Sequence, residues 1–387
     1  MIAKQVNDTL VSLLHLERRV DPFFRPAFDA LLQAPLAGLT QALINWGRDQ
    51  EPDLPAHETL LQGEAELMDA IIAAMAKYMR AHYRPGGFQR AGNTKTHGVV
   101  RGRLVVHDAL PADFRHGLFT APGDYPAWVR FAGPGPDSPP DIDDVGVLSI
   151  GLKVMGVPGP KLLDDERFTQ DFTGISTPTF TTPNVRENAK LQGAIGRGLP
   201  LLYFFGHPGD AIMQGLWART QTSPLETAYW GCVPYLLGEG QAMRYTLRPR
   251  NPGRSRVPDL PGRPPDNYLR QAMAARLARG PASFDLLLQR QTHPARMPIE
   301  NASVIWPEYL SPYVPAATLE LPRQCFDSPA QLAFADMLSI NPWHCLPAHR
   351  PLGNQNRARR RIYLELSHLR QTMNDTPHVE PTGEERF

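Results

Sequence analysis

The stretch NRARRRIYLELSHLR, residues 356–370, decides how the rest of this sequence is interpreted. It has the charges of a surface helix, yet it places Tyr363 between two arginines. Arg359 precedes this tyrosine by four residues, and Arg370 follows it by seven. An α-helix has about 3.6 residues per turn, so residues spaced by four and by seven lie on one face. The spacing therefore predicts a helix that holds a phenol between two guanidinium groups.

A guanidinium beside a phenol changes the chemistry of the phenol. A free phenol has a pKa of about 10 and is neutral at pH 7. A cationic hydrogen-bond donor one turn away favours the phenolate, which is a hard anionic oxygen ligand suited to Fe(III). Tyr363 is therefore a candidate haem-iron ligand, with Arg359 holding it as the anion. Arg370, two turns further on, is a candidate partner for a haem propionate.

Two other interpretations of this helix remain open from the residues alone. The first is a solvated basic helix with Tyr363 at its edge. The second is a surface for phosphate groups made by Arg357, Arg360 and Arg361. The formal net charge of +1, with 20% charged residues, gives no support for a nucleic-acid partner from bulk electrostatics.

Composition bounds the class of protein. The chain has 387 residues and 40 prolines, so we expect much ordered but irregular chain between short elements. Three cysteines are too few for a disulfide framework and fit a reducing compartment. The N-terminal stretch lacks the apolar core and the cleavage site of a signal peptide. No uninterrupted run approaches the about 20 apolar residues of a spanning helix. We therefore expect a cytoplasmic protein without a membrane span.

Hydrophobic periodicity predicts helices followed by strands. Residues 1–85 have mostly helical patterns, and two more helices are predicted near the C-terminal end. The predicted helices with the clearest patterns are 57–84, 265–280 and 356–373. The predicted strands are 96–110, 125–133, 145–157, 242–250 and 316–322. Because no β-α-β rhythm connects these strands, they predict an antiparallel sheet or barrel.

Several motifs resemble those of the haem catalase superfamily, in which tyrosine is the axial ligand. Arg359, Tyr363 and Arg370 match its proximal motif. KTHGVVRGRLVV (95–106) resembles the strand of the distal histidine, which makes His97 that histidine. The Thr96–His97 pair resembles that of catalase-like allene oxide synthases and related bacterial peroxidases, where Thr-His replaces the Val-His of true catalases. The resemblance implies catalytic roles for both residues, with His97 as the acid–base group and Thr96 as its hydrogen-bonding partner or that of the bound oxygen. AWVRFAG (127–133) and STPTF (176–180) resemble motifs that assign Arg130 to a haem propionate and Phe180 to the haem face.

The resemblance covers roughly residues 90–372 and implies a fold and a cofactor. It implies an α+β fold with a catalase-like antiparallel β-barrel core, surrounding helices and an N-terminal helical extension. Together with the helical pattern of the N-terminal region and the polar composition of the last residues, it divides the chain into a helical extension (1–88), a haem-binding barrel and helical domain (89–373) and a loose polar tail (374–387). The implied cofactor is haem b, and members of this superfamily are often homo-oligomers.

Departures from the family motifs change the expected activity. The distal asparagine of the family falls at Ile175 or Ser176, the serine that orients the distal histidine is Ala132, and an arginine before that histidine is Thr94. These changes predict weak catalase activity at most. They favour a peroxidase, or an isomerase or dehydratase, that acts on organic or fatty-acid hydroperoxides.

Two alternatives of other classes stay open. One is a haem-binding or sensing protein with little turnover, and the other is an interaction scaffold without haem that docks through its N-terminal helices. The neighbouring His344, Cys345 and His349 lack enough converging ligands for a zinc site, so we expect structural roles for them.

Overall fold

The computed structural model describes residues 2–253 and 255–387. Its centre is one antiparallel sheet in the strand order β5-β4-β3-β2-β1-β9-β8-β7-β6. A further pairing of β5 with β7 closes eight of these strands into a barrel, and β6 is added beside β7. The strands are β1 (Thr96–Val106), β2 (Gly123–Ala132), β3 (Ser149–Val154), β4 (Gln170–Ile175), β5 (Tyr229–Trp230), β6 (Tyr235–Leu236), β7 (Ala242–Pro249), β8 (Ala282–Arg290) and β9 (Val314–Leu321). The expected antiparallel barrel is confirmed.

Helices surround the barrel and extend it at the N-terminal end. They are α1 (Ile2–Phe28), α2 (Ala34–Gly47), α3 (Glu64–His82), α4 (Val185–Gly196), α5 (Pro200–Tyr203), α6 (Pro208–Trp217), α7 (Tyr268–Arg279), α8 (Pro329–Met337) and α9 (Asn354–Asn374). A wide helical turn, Asp29–Gln33, joins α1 to α2 without a break. The helix that contains Tyr363 is therefore α9, and it follows the last barrel strand.

Alternation along the strands decides which side chains face the helices. Val100 and Leu104 of β1, with Val129 and Phe131 of β2, lie in the main apolar core inside the barrel. Successive side chains of a strand point to opposite faces, so Arg130 points outward. The outer face of the barrel is thus the face on which the predicted site residues of β1 and β2 lie.

Helix α9 packs over this outer face as part of a helical layer. Ala358 and Ile362 of α9 form an apolar cluster with α3 and with Val185 of α4. Gly353, just before α9, has φ +84°, and an added Cβ would lie 2.5 Å from the carbonyl oxygen of Ile299. Only glycine fits there. The close contact between Gly353 and the backbone of Ile299 therefore fixes the position at which α9 begins.

The predicted elements are largely present, but their bounds differ. The helices expected at 265–280 and 356–373 are α7 and α9. The helix expected at 57–84 begins only at Glu64, and the strand expected at 145–157 is limited to Ser149–Val154. Prolines and glycines flank both segments and shorten them. Strands β4, β5, β6 and β8 were not predicted.

The expectation of a loose tail is wrong. After α9 the chain folds back over the outer face of the barrel. Glu385 Oε2 accepts a hydrogen bond of 2.7 Å from Trp128 Nε1. The ring of Phe387 lies 5.8 Å from that of Trp128, and Arg101 donates a hydrogen bond to the carbonyl of Gly383. A few specific contacts therefore hold a segment whose polar composition resembles that of a disordered end.

The N-terminal helical region differs from the expectation in one respect. From Ile2 to Gly47 it is a continuous helix of 46 residues, long and apolar enough to cross a membrane by length and composition alone. Only 11% of the residues in its most apolar stretch are buried. Sequence analysis missed this segment because scattered polar residues interrupt the apolar run.

Candidate functional site

The proximal side of the candidate site lies on α9. Arg359 Nη2 and Nε lie 3.1 and 3.3 Å from the phenol oxygen of Tyr363 and donate hydrogen bonds to it. Arg359 also donates to the hydroxyl of Thr173 on β4 and, at 3.1 Å, to Asn356. Burial alone would lower the pKa of Arg359, but the oxygens of Tyr363 and Tyr235 raise it. The guanidinium is therefore a fixed cation beside a half-buried phenol.

Arg357, Arg360 and Arg361 of this helix already have partners within the protein. Arg357 lies between three carboxylates, and Arg361 pairs with Asp69 at 2.8 Å. The partners of Arg357 are Glu58, Glu64 and Glu300, at 2.7, 2.7 and 3.0 Å. Arg360 stacks 5.2 Å from the ring of Trp343. These contacts do not favour the interpretation of α9 as a phosphate-binding surface.

His97 occupies a β-bulge on the distal side. Thr96 pairs with Ala132 and Gly98 pairs with Phe131, so His97 has no opposite residue in the ladder. A bulge of this kind re-aims one side chain at the edge of a site. His97 is only 1% exposed, and within the described residues neither of its ring nitrogens has a hydrogen-bond partner.

Burial and neighbouring cations keep His97 neutral. Burial, followed by the charges of Lys95, Arg270 and Arg130, lowers the pKa of His97 to about 3. The carboxylate of Asp141 lies 3.7 Å from Nδ1 and 2.7 Å from the ammonium of Lys95. At pH 7 His97 is therefore a neutral base, and the nearest carboxylate is on its Nδ1 side.

One row of opposed residues lines the outer face beside His97. Thr96 is opposite Ala132, which is opposite Ser149, which is opposite Ile175. Cross-strand partners share a face, so Ile175 lies in the row with Thr96. The hydroxyl of Ser176, in contrast, accepts a 2.9 Å hydrogen bond from the backbone N–H of Leu148. Of the two residues that sequence analysis aligned with a distal asparagine, Ile175 is the one in this row.

The proximal and distal sides meet on the same face of the barrel. Thr173, which accepts a hydrogen bond from Arg359, is two residues before Ile175 on β4 and therefore points to the same side. Arg130 lies on this face as well and donates a 2.6 Å hydrogen bond from Nη2 to the hydroxyl of Thr96. The structure thus brings together the α9 pair and the β1–β4 residues.

Three buried arginines form a cluster beside this face. The pKa of Arg130 is well below its usual value, first through burial and then through Arg90 and Arg370. Burial, with the charge of Arg90, lowers the pKa of Arg370 to about 9, and burial lowers that of Arg90 to about 10. The carboxylate nearest to Arg90 is Asp336, at 4.0 Å. Buried cations without matching anions are unfavourable, so this cluster suits a ligand with carboxylates.

Sequence analysis predicted Arg130 and Arg370 but missed Arg90. Arg90, four residues before Thr94, adds a buried cation next to Arg130, and its Nη2 donates to the carbonyl of Ala335 at 2.8 Å. The available signal was the position of Arg90 in the short segment before His97. A sequence alone does not show how that segment folds back, so it does not predict that Arg90 lies beside Arg130.

Phe180 is the predicted residue with the weakest connection to the others. Its ring packs against the main apolar core, and its backbone N–H donates to the carbonyl of Ala302 at 3.0 Å. No hydrogen bond among the described residues joins it to the other predicted residues. Its assignment to the haem face stays a prediction.

The chemistry of these residues fits a haem. Tyr363 offers an oxygen ligand stabilised by Arg359, the cluster of Arg90, Arg130 and Arg370 offers positive charge for two propionates, and His97 offers unpartnered ring nitrogens. Among the described residues, both ring nitrogens of His97 and Nε of Arg130 are buried without a hydrogen-bond partner, and a bound substrate and a haem propionate would supply partners for them.

A second buried cluster has the spacing of a metal site but already contains a cation. Glu166, Asp171 and His344 converge within 4.8 Å. The ammonium of Lys153 pairs with both carboxylates and lies 2.8 Å from Asp171. Burial and Lys153 oppose protonation of His344, but hydrogen bonds to Asp165 and Asp171 raise its pKa to about 9. Lys153 thus supplies the positive charge that these carboxylates would otherwise offer to a metal ion.

Comparisons with known proteins agree with the architecture. No protein-family model matches the sequence, and no curated protein matches it. A solved bacterial catalase superposes with a TM-score of 0.57 at 15% identity, covering 84% of this chain. A solved fungal catalase superposes with a TM-score of 0.50 at 14% identity, covering 84% of this chain and 68% of its own. This chain spans 65% of the bacterial catalase. At such identities the likeness establishes the catalase fold.

Proposed function

We propose that this chain is a haem-dependent enzyme that processes peroxides, with organic hydroperoxides as its preferred substrates. The observation that carries the proposal is the Arg359–Tyr363 pair on the same outer barrel face as His97, a buried histidine with two unpartnered nitrogens. The catalase fold of the solved neighbours supports it.

One anionic residue is proposed to hold the iron, and cationic residues are proposed to hold the propionates. Tyr363 would hold the iron as the phenolate, and the two hydrogen bonds from Arg359 would stabilise that anion. Arg130 and Arg370, joined by Arg90, pair with the propionates. When bound, the ferric haem b supplies the redox-active iron at which the O–O bond of a peroxide is cleaved.

His97 moves the proton. Asp141 lies on the Nδ1 side, so the proton of the neutral ring resides on Nδ1 and the lone pair on Nε2. Nε2 would accept the proton of the hydroperoxide O–H group and donate it to the oxygen that leaves as an alcohol, while the iron of a bound haem would supply the two electrons for O–O cleavage. Because the pKa of His97 is lowered to about 3, the ring is a free base at every pH near neutrality.

The distal residues favour a bulky, apolar substrate. Ile175 and Ala132 carry no hydrogen-bonding side-chain atoms, the hydroxyl of Ser149 donates to the carbonyl of Ala132, and the hydroxyl of Thr96 accepts from Arg130. A small hydrogen peroxide molecule therefore has few fixed donors to orient it. An alkyl hydroperoxide is oriented by its apolar chain, which supports peroxidase or hydroperoxide isomerase chemistry above catalase chemistry.

The test is purification of the full chain with haem supplied during expression. We expect a Soret band and turnover of cumene hydroperoxide and linoleic acid hydroperoxide that exceeds the turnover of hydrogen peroxide. An electron donor added to half of the reactions separates a peroxidase from an isomerase. A Soret band without turnover would favour the sensing alternative, and a chain that takes up no haem would overturn the proposal.

A further inference from the structure

The N-terminal helix, Ile2–Gly47, packs on the protein with its polar side. Arg18, Asp21 and Arg25 are buried against the segment that follows α6. Arg25 donates to the carbonyl of Ala218 at 2.9 Å, and Asp21 accepts from the backbone N–H of Thr220 at 2.5 Å. Helices of globular proteins ordinarily bury the apolar side, so this arrangement is reversed for much of the helix.

The opposite side of the helix is apolar and exposed. Thirteen of the 23 large apolar side chains found exposed in the described residues belong to this helix. We call them the apolar face: Ile2, Val6, Leu13, Leu16, Val20, Phe23, Phe24, Leu31, Leu32, Leu36, Leu39, Leu43 and Trp46. Exposed apolar patches that exceed a few hundred Å² mark surfaces that are covered in the working protein.

The wide turn between α1 and α2 keeps this face continuous. Before the turn, most exposed apolar residues are three, four or seven positions apart, and Leu31 in the turn is five positions before Leu36. A π-type turn accommodates that interval, so the residues on both sides stay in line. The apolar face therefore runs the whole helix, about 69 Å at 1.5 Å per residue.

The face is broader than a seam for one partner helix. Neighbouring residues are exposed together at Phe23–Phe24 and at Leu31–Leu32, whereas a coiled-coil seam exposes only its a and d positions. Helices α5 and α6 pack beside α1 and α2, and the exposed Phe205 and Ile212 of that region extend the apolar surface sideways. The result is a surface suited to a broad partner.

The apolar face offers almost nothing for hydrogen bonding. The exposed hydroxyls of Thr9 and Ser12 are turned back to the carbonyls of Gln5 and Asp8, each at 2.9 Å. A protein partner ordinarily makes about one hydrogen bond per 100–200 Å² of interface, whereas hydrocarbon needs none. We propose that the apolar face binds a lipid bilayer, with the helix lying in the plane of the membrane surface.

The packing of the helix determines this orientation. Its polar side is fixed to the protein along its length, from Asn7, which accepts from the backbone of Leu201, to Gln41, which donates to that of Ser303. A helix held in this way cannot cross the bilayer without leaving the barrel. Trp46, 86% exposed at the C-terminal end, suits the headgroup region.

Basic side chains contribute little to this surface. Arg18 and Arg25 are buried, and Arg19 pairs with Asp143 at 2.8 Å, which leaves Lys4 as the exposed basic residue of the described helix. Binding is therefore driven by apolar burial. It is equal for zwitterionic and anionic lipid and is insensitive to salt, unlike the binding of a polybasic segment.

The experiment is flotation of the full chain with phosphatidylcholine vesicles, with and without phosphatidylglycerol, at low and high salt. The test variant is Leu16→Glu/Phe23→Glu/Leu39→Glu, and the matched control is Leu54→Glu/Leu60→Glu/Val379→Glu, which changes three exposed apolar residues elsewhere. We expect the wild type and the control to float under every condition. We expect the vesicle-bound fraction of the test variant to fall at least tenfold.

Light scattering measures the oligomeric state of the wild type and of the test variant. Tryptophan fluorescence measures whether Trp46 contacts lipid. Brominated phosphatidylcholine is expected to quench the wild-type emission, and Trp46→Phe to remove most of the quenched part. A wild type that does not float, a test variant that floats equally, or binding that needs anionic lipid and disappears in salt would overturn the proposal. A dimer that the test variant dissociates, without vesicle binding, would assign the face to a second copy instead. None of these measurements depends on haem.

Discussion

The two sides of the candidate site are built from different kinds of neighbours. On the proximal side, Tyr363 and Arg359 are four residues apart in one helix, and their contact follows from helical geometry. On the distal side, His97 depends on a bulge, and its surroundings come from β2, β3 and β4. A local pair is encoded by spacing, whereas a cross-strand site is encoded by register. Substitutions on the proximal side therefore test which residue binds the iron. Substitutions on the distal side test how the neighbouring residues set the basicity of His97.

The largest effect is expected on the distal side. His97→Ala is expected to retain haem and to lower the rate constant for hydroperoxide cleavage by about 10²–10⁴-fold, the usual contribution of a positioned acid–base group. Stopped-flow spectroscopy of the haem-loaded variant measures this rate constant. The exposed His293→Ala serves as control and is expected to react like the wild type. An unchanged rate in His97→Ala would remove His97 from the mechanism.

The proximal counterpart is Tyr363→Phe, which removes the oxygen but keeps the ring. We expect haem affinity to fall by more than about a hundredfold, since even the hydrogen-bond partners of metal ligands contribute 10–100-fold. The haem-to-protein ratio after purification and the position of the Soret band measure the loss. Tyr309→Phe, at a side chain that is 75% exposed, is the matched control. A wild-type spectrum in Tyr363→Phe would show that another residue binds the iron.

The same contrast explains what the sequence could predict. The spacing of Arg359, Tyr363 and Arg370 needed only the period of a helix, and the alternation of β1 and β2 needed only the period of a strand. The choice between Ile175 and Ser176 needed the register of β4, which depends on pairings with distant residues. Arg90 and the packed tail were missed because their contacts are made by irregular chain.

The Arg370→Met variant tests the cluster of Arg90, Arg130 and Arg370. We expect it to stabilise the haem-free chain and to weaken haem binding. Removal of one buried cation beside Arg90 and Arg130 is expected to raise the unfolding free energy of the haem-free chain by about 1 kcal/mol, because the methionine keeps most of the apolar stem. Loss of a propionate partner is expected to weaken haem binding by about tenfold, which is 1.4 kcal/mol. Thermal unfolding without haem and haem titration measure the two effects. Arg386→Met, at an exposed arginine, is expected to change neither. A destabilised haem-free variant with unchanged haem affinity would show that Arg370 has a structural role instead.

The smallest effect is a pH dependence of stability that arises from His97. Burial and nearby cations lower its pKa from the usual 6.5 to about 3 in the folded chain, so the unfolded chain binds more protons between these values. The neutral form stabilises the fold fully above pH 6.5, and this contribution is lost as the pH falls. Between pH 7 and pH 5.5 we expect the haem-free wild type to lose about 1 kcal/mol more unfolding free energy than His97→Gln, which does not titrate. Urea unfolding at both pH values measures the difference. Equal losses in the two proteins would mean that the distal ring is hydrated or paired in solution, and the proposal of a permanently neutral base would then fail while the α9 ligand pair stayed intact.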